Sequence, residues 1–218
     1  MNAPLNLGFI FAILFLTLGP LKLIPTFYGA TQALDGKTRL GLALKSTALA
    51  FLILVVATVV GSALATNWRV SREALLVTGG LLLLIGSLRI LSHVLAPPAP
   101  HEQAPPPDPA AKRPISIVIS PLAIPGIITP WGLVALLLFV SVAEDQHQLG
   151  GVAAMLILNM LLNIVGMVCA GPIMRTVGLP AMSVLGWVFS ILQAALGITF
   201  LLRGLAAVLG LPWHPTLL

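Results

Sequence analysis

Charge is scarce in this sequence. Only 8% of its 218 residues are Asp, Glu, Lys or Arg, eleven basic and six acidic, where a soluble domain carries about 25%. A water-soluble fold of this length cannot cover its surface with so few ions, so a soluble enzyme, a secreted scaffold and a disordered chain are excluded. A single cysteine, Cys169, excludes an intrachain disulfide. No Lys or Arg precedes the first apolar run. The expected consequence is that this run is not a cleaved signal peptide, whose start is basic, and that the first helix is retained. No Asp or Glu lies inside any long apolar run, which leaves a carboxylate proton relay without a candidate. His93, His101, His147 and His214 are scattered and lack metal-ligand spacing. A P-loop, an H-E-x-x-H and a G-x-S-x-G are all missing. No catalytic residue, metal or cofactor is therefore expected, nor an enzyme. The basic residues form no stripe, so nucleic acid is not an expected partner.

What the chain does have is apolar length. Hydrophobic residues make up 58%, enough for about six helices of roughly 20 residues each. The runs fall at about Leu5–Tyr28, Leu42–Ala65, Leu75–Leu95, Ile115–Ala143, Gly150–Met174 and Met182–Leu202. The expected fold is all-α and polytopic, with six transmembrane helices in the lipid bilayer. Between the third and fourth runs, residues 96–114 hold eight prolines, too many for helix or core, and read as an exposed linker. Residues 1–95 and 115–218 then carry three helices each. An odd number per half inserts the halves in opposite orientation, the inverted repeat of many secondary transporters. Pro20 and Pro25 in the first run mirror Pro125 and Pro130 in the fourth, and Gly79 and Gly86 mirror Ser190 and Gly197. Orientation follows the basic residues. With the N-terminus outside, Lys37, Arg39, Lys45, Lys112, Arg113 and Arg175 are cytoplasmic, against Arg69, Arg72 and Arg203 on the far side. Both termini are thus expected outside and the linker inside.

The prolines also mark a candidate site. Each removes a backbone hydrogen bond, and in lipid the freed carbonyls must be buried in protein or line a cavity. Two corresponding broken helices point to a binding site near the midplane. Thr129 followed by Pro130 reads as an N-cap and first helical residue. Asn159 and Asn163, four apart, share one helix face and serve either a solute or contacts between helices. Lys22 is the one charge well inside the first run; snorkelling to the helix end is the favoured reading, a solute contact the other. The candidate solute-binding set is Pro20, Lys22, Pro25, Pro125, Thr129, Pro130, Asn159 and Asn163. Small residues every four positions, Ala57, Gly61 and Ala65, then Gly186, Ser190 and Ala194, read as helix contacts. Gln193 and Thr199 read as polar contacts between helices.

The most specific stretch is Ser120, Pro121, Leu122, Ala123, Ile124 and Pro125, followed by Thr129, Pro130, Trp131 and Gly132. It resembles the P-L-A-x-P and G-P-G pattern of the MarC family of bacterial inner-membrane proteins. Gly19 through Pro25 resembles the family's first-helix motif. Thr78-Gly79-Gly80 and Arg175 through Gly178 resemble two further segments, and the likeness runs from about Leu7 to Leu205. The chain departs from the pattern at Gly19, where the family usually has Asp or Asn, at Lys22, which replaces a small residue, and at Thr129 and Trp131, which replace glycines. The resemblance implies six spans and a bacterial inner membrane, with no established activity. Two functions follow as expectations. One is a transporter or exporter of a small solute, with its site between the broken first and fourth helices; assembly into a homo-oligomer is open. The other is a non-transporting membrane protein that assists assembly or regulation of a partner. The discriminating observation is whether the prolines and asparagines converge on a polar, water-accessible cavity.

Overall fold

A computed structural model describes residues 6–32, 34–95, 118–143 and 145–212. All regular structure among them is helical. The proline-rich linker at 96–114 lies outside the described residues.

The first run breaks in two. Helix α1 (Leu7–Leu18) ends at Gly19, whose backbone is extended at φ −77° and ψ 171°. A 3-10 turn (Pro20–Lys22) then leads into α2 (Leu23–Thr31). Next come α3 (Gly36–Asn67) and α4 (Arg72–Leu95). The fourth run is not one α-helix. Its first part, Val118–Ile127, is π-helical, and its second is the 13-residue α5 (Pro130–Val142). Pro121 and Pro125 remove two amide donors four residues apart, and widening the ladder to i→i+5 is one way a chain absorbs this. The Ile128 amide accordingly donates to Ala123 O at 2.9 Å. Helix α6 (Gln146–Val168) bends at Cys169 into α7 (Ala170–Thr176), three residues before Pro172, and α8 (Gly178–Val208) closes the fold.

Five helical stretches are long and apolar enough to cross a membrane, and α5 is a shorter apolar helix. The expected six runs are thus present, but the fourth does not form a full-length α-helical span. The second and last helices also run several residues beyond the apolar stretches read from sequence. Polar caps set the starts of α1, α3, α4, α5 and α6. Asn6, Asp35, Ser71, Thr129 and Asp145 each accept a backbone N–H three residues on, from Phe9, Thr38, Ala74, Gly132 and Gln148; such caps satisfy donors that a helix start leaves open. At the far end of α3, Arg69 adopts a positive φ of 54°, and Val70 N returns to Ala65 O while Arg69 N returns to Thr66 O. This is a Schellman close with arginine where glycine is usual.

The broken span sits in the middle. Half of the most apolar 18-residue window in Leu7–Thr31 is buried, against 17–39% of the corresponding windows in the other four, and Ile10, Ile13, Leu14, Leu18, Leu23 and Phe27 are all in the core. A broken helix on the outside would turn unpaired carbonyls to lipid. The outer faces of α3, α6 and α8 are apolar and exposed, as at Leu52, Val59, Leu161, Val165 and Ile191, as a lipid-facing surface requires. Helices α4 and α8 form the most extensive pair. A Cβ at Gly80 would lie 2.5 Å from Gly197 O, and one at Gly197 would lie 2.8 Å from Gly80 O, so only glycine lets these backbones touch.

Candidate functional site

The break at Gly19 leaves the last carbonyls of α1 without their helical donors, and three other elements supply replacements. Thr129, the cap of α5, donates its hydroxyl to Thr17 O at 3.1 Å while accepting Gly132 N at 3.2 Å. The Lys22 ammonium folds back onto the same carbonyl, Thr17 O. Asn163 on α6 donates Nδ2 to Leu18 O at 2.8 Å. Two glycines make room for this knot. A Cβ at Gly132 would meet Leu18 Cδ2 at 2.3 Å, and one at Gly166 would meet Pro20 Cβ at 2.6 Å. Helix α1 begins at Leu7, so Thr17 lies about 15 Å along it, half the roughly 30 Å hydrocarbon thickness. The Lys22 side chain turns back along the stretch to Thr17 O rather than on toward Thr31. The broken helix end offers it that carbonyl.

A cavity of about 250 Å³ opens beside the knot. The broken span contributes Phe15, Leu16, Gly19, Leu21, Lys22 and Pro25; α8 contributes Met182, Gly186, Phe189, Ser190 and Gln193, with Trp131 and Ile90 completing the wall. Gly86 positions the indole: a Cβ there would meet the Trp131 ring at 2.7 Å. Gln193 is buried and donates Nε2 to Leu83 O at 3.3 Å, tying α8 to α4. Ser190 donates to Gly186 O at 2.8 Å within its own helix.

The candidate residues from sequence thus divide. Pro20, Lys22, Thr129 and Asn163 converge on the end of α1. Lys22 and Pro25 line the cavity, and Lys22 belongs to both groups. Pro130 is the first, exposed residue of α5, and Pro125 lies within the π-helical segment. Asn159 is fully buried, but its Nδ2 donates to Met155 O of its own helix; neither asparagine reaches the cavity. Both asparagine Oδ1 atoms are buried without a donor. The prolines and asparagines thus do not converge on one polar cavity; the knot is packed, and the cavity lies beside it.

Sequence reasoning missed the α8 wall. Gly186 and Ser190 read as helix contacts from their spacing, yet a Cβ at Gly186 meets nothing within 4 Å, because it faces the cavity. Gly61, by contrast, does make the expected contact, with Leu137 at 2.9 Å from its Cβ position. Helical spacing shows which residues share a face; it does not tell whether a neighbour or a void lies opposite. Trp131 was visible only as a large residue where glycine is usual.

Long apolar helices around a buried, proline-broken span define a multi-pass helical membrane protein. The MarC family of integral membrane proteins matches residues 6–209, and the chain belongs to that family. A "UPF0056 membrane protein" of Archaeoglobus fulgidus is 28% identical over 201 residues, which cover 90% of this chain and 90% of that protein. No solved structure matches the chain.

Proposed function

We propose that the protein is a small-solute transporter whose site is the cavity between the broken first span, Trp131 and α8, and that it catalyses no reaction. One observation carries this reading: a cavity of about 250 Å³ meets the only ionisable side chain held well inside the first span. Ionisable groups at such depth usually face a solute path or a partner inside the bundle. The reading revises the site drawn from the sequence. Lys22 and Pro25 remain, Trp131, Ser190 and Gln193 join, and Thr129 and Asn163 hold the broken helix in shape beneath it. Residues 1–95 and 115–218 are proposed to be inverted repeats, each starting with a proline-broken run. The Gly80–Gly197 contact of α4 with α8, the closing helices of the two halves, supports that pairing. The proposed location is a bacterial inner membrane with both termini outside, on the distribution of basic residues.

The test is flux of a solute panel into proteoliposomes, with Gly186→Leu as the blocked control. That side chain enters open space, so the variant should fold and fill the cavity. Flux by the unaltered protein that Gly186→Leu abolishes is the expected result. Folded protein without flux across a broad panel, or flux that Gly186→Leu leaves unchanged, sinks the reading.

A further inference from the structure

We infer that the Lys22 cavity selects a compact organic monoanion, a carboxylate carried on an apolar body. This inference deepens the transport reading and rests on the same cavity, but it concerns what binds there. Three observations carry it. The first is charge. Lys22 is the basic side chain lining the cavity, and the described carboxylates stand at helix starts, Asp35, Glu73 and Asp145; among the described residues none pairs with it. An ammonium has three donors, and Lys22 is seen to commit one, to Thr17 O. A cation in a low-dielectric interior is costly unless paired, so an anion in the cavity supplies what the protein does not.

The second observation is the wall. Phe15, Leu16, Trp131 and Phe189 are apolar or largely so. They suit a hydrocarbon or aromatic body and give poor solvation to a bare inorganic anion, which needs several donors. The third is size. A volume of about 250 Å³ equals the liquid share of about eight waters, which admits a short acid and not a full lipid chain. Gly19, Lys22 and Trp131 line this one cavity together. Gly19 projects no side chain, and Lys22, three residues on, faces the same void.

Binding is read by bromine quenching of tryptophan fluorescence in detergent-purified protein, with Trp131→Phe to show that the signal comes from the cavity. The probes are 6-bromohexanoate, its neutral twin 6-bromohexanamide, and a long-chain brominated fatty acid. The expected result is at least tenfold tighter binding of the short carboxylate than of the amide. Lys22→Arg keeps that preference, Lys22→Gln removes it, and Gly186→Leu prevents binding of both. Equal binding of carboxylate and amide to the unaltered protein overturns the inference, as does an undiminished preference in folded Lys22→Gln. Tighter binding of the long acid overturns the size argument and makes the ligand a membrane fatty acid. If Lys22→Gln fails to fold, the carboxylate-to-amide ratio in the unaltered protein and its loss in Gly186→Leu still decide. The two readings fail separately. Carboxylate preference without proteoliposome flux leaves the anion site and removes transport. Flux of neutral solutes that Gly186→Leu blocks, without anion preference, leaves transport and removes the anion site.

Discussion

Asn159 and Asn163 offer a controlled comparison, because they are alike in all but one bond. Both are 0% exposed, lie one turn apart on a single face of α6, and leave Oδ1 without a donor. Asn159 Nδ2 donates to Met155 O at 2.9 Å, a carbonyl that the i→i+4 ladder of its own helix already serves. Asn163 Nδ2 donates to Leu18 O at 2.8 Å, where the extended Gly19 has carried the chain away from its helical donors. Replacement by leucine, which keeps the branch at Cγ, removes one unpaired buried oxygen in either case, so that gain cancels between the two variants. What differs is the interhelical bond, about 0.6 kcal/mol on average in membrane proteins, and the stranded Leu18 carbonyl, about 1–3 kcal/mol. Asn163→Leu should therefore be less stable than Asn159→Leu by about 2 kcal/mol. For a chain of this length that separates the unfolding midpoints by about 4–8 °C. Thermal unfolding in detergent, followed by intrinsic tryptophan fluorescence, measures the gap. Coincident midpoints, or Asn159→Leu melting lower, would refute the claim that Asn163 repairs the broken helix.

Three further outcomes are expected. Gly80→Ala places a Cβ 2.5 Å from Gly197 O and 2.6 Å from Leu201 N, backbone atoms that cannot step aside, and should cost about 1–3 kcal/mol of stability; Gly41→Ala enters open space and should gain about 0.5–1 kcal/mol, a contrast that melting curves read directly. Arg69→Gly relieves a left-handed residue at φ 54° and should raise stability by about 1 kcal/mol; an unchanged or lower midpoint counts against the Schellman close described at the end of α3. The Thr38 side chain and then its amide hold the Asp35 carboxyl below its ordinary range, at the exposed start of α3. A depressed folded-state pKa means that the stabilisation is present above the unfolded pKa, about 3.9, and is lost as pH falls through the folded value. The midpoint advantage of the unaltered protein over Asp35→Asn should thus shrink once pH drops below about 4; a gap constant between neutral and acid pH contradicts this.

Composition and pattern were enough for the class of protein, because a helix that crosses lipid must bury its backbone polarity within itself and cover its outside with apolar atoms. That constraint writes itself into the sequence as long runs with charge only at their margins. The breaks at Gly19, Pro20 and Thr129–Pro130 were legible for the same local reason: proline cannot donate, and threonine before it caps. The start of the fourth run was less so. Proline signals that an α-ladder fails but not whether the chain unwinds, kinks or widens, and here Val118–Ile127 widened to π.

Which polar group repairs which broken end was decided only in three dimensions. Leu18 O and Asn163 are 145 residues apart, and Thr17 O and Thr129 are 112 apart; no local rule joins them. The fate of Lys22 was decided in the same way. From its position in the run, snorkelling was the economical reading; in the fold the Lys22 ammonium turns back to Thr17 O, a carbonyl that Thr129 also serves. Gly186 makes the same point from the other side. Its spacing with Ser190 and Ala194 determined a shared helix face, while the void opposite that face came from how Phe15, Trp131 and Phe189 meet across the bundle. The sequence alone determined that this chain lives in a membrane and where its helices must break. The tertiary structure decided that the breaks would be sealed on one side by Thr129 and Asn163 and left open on the other beside Lys22, because sealing depends on which distant donors reach the freed carbonyls.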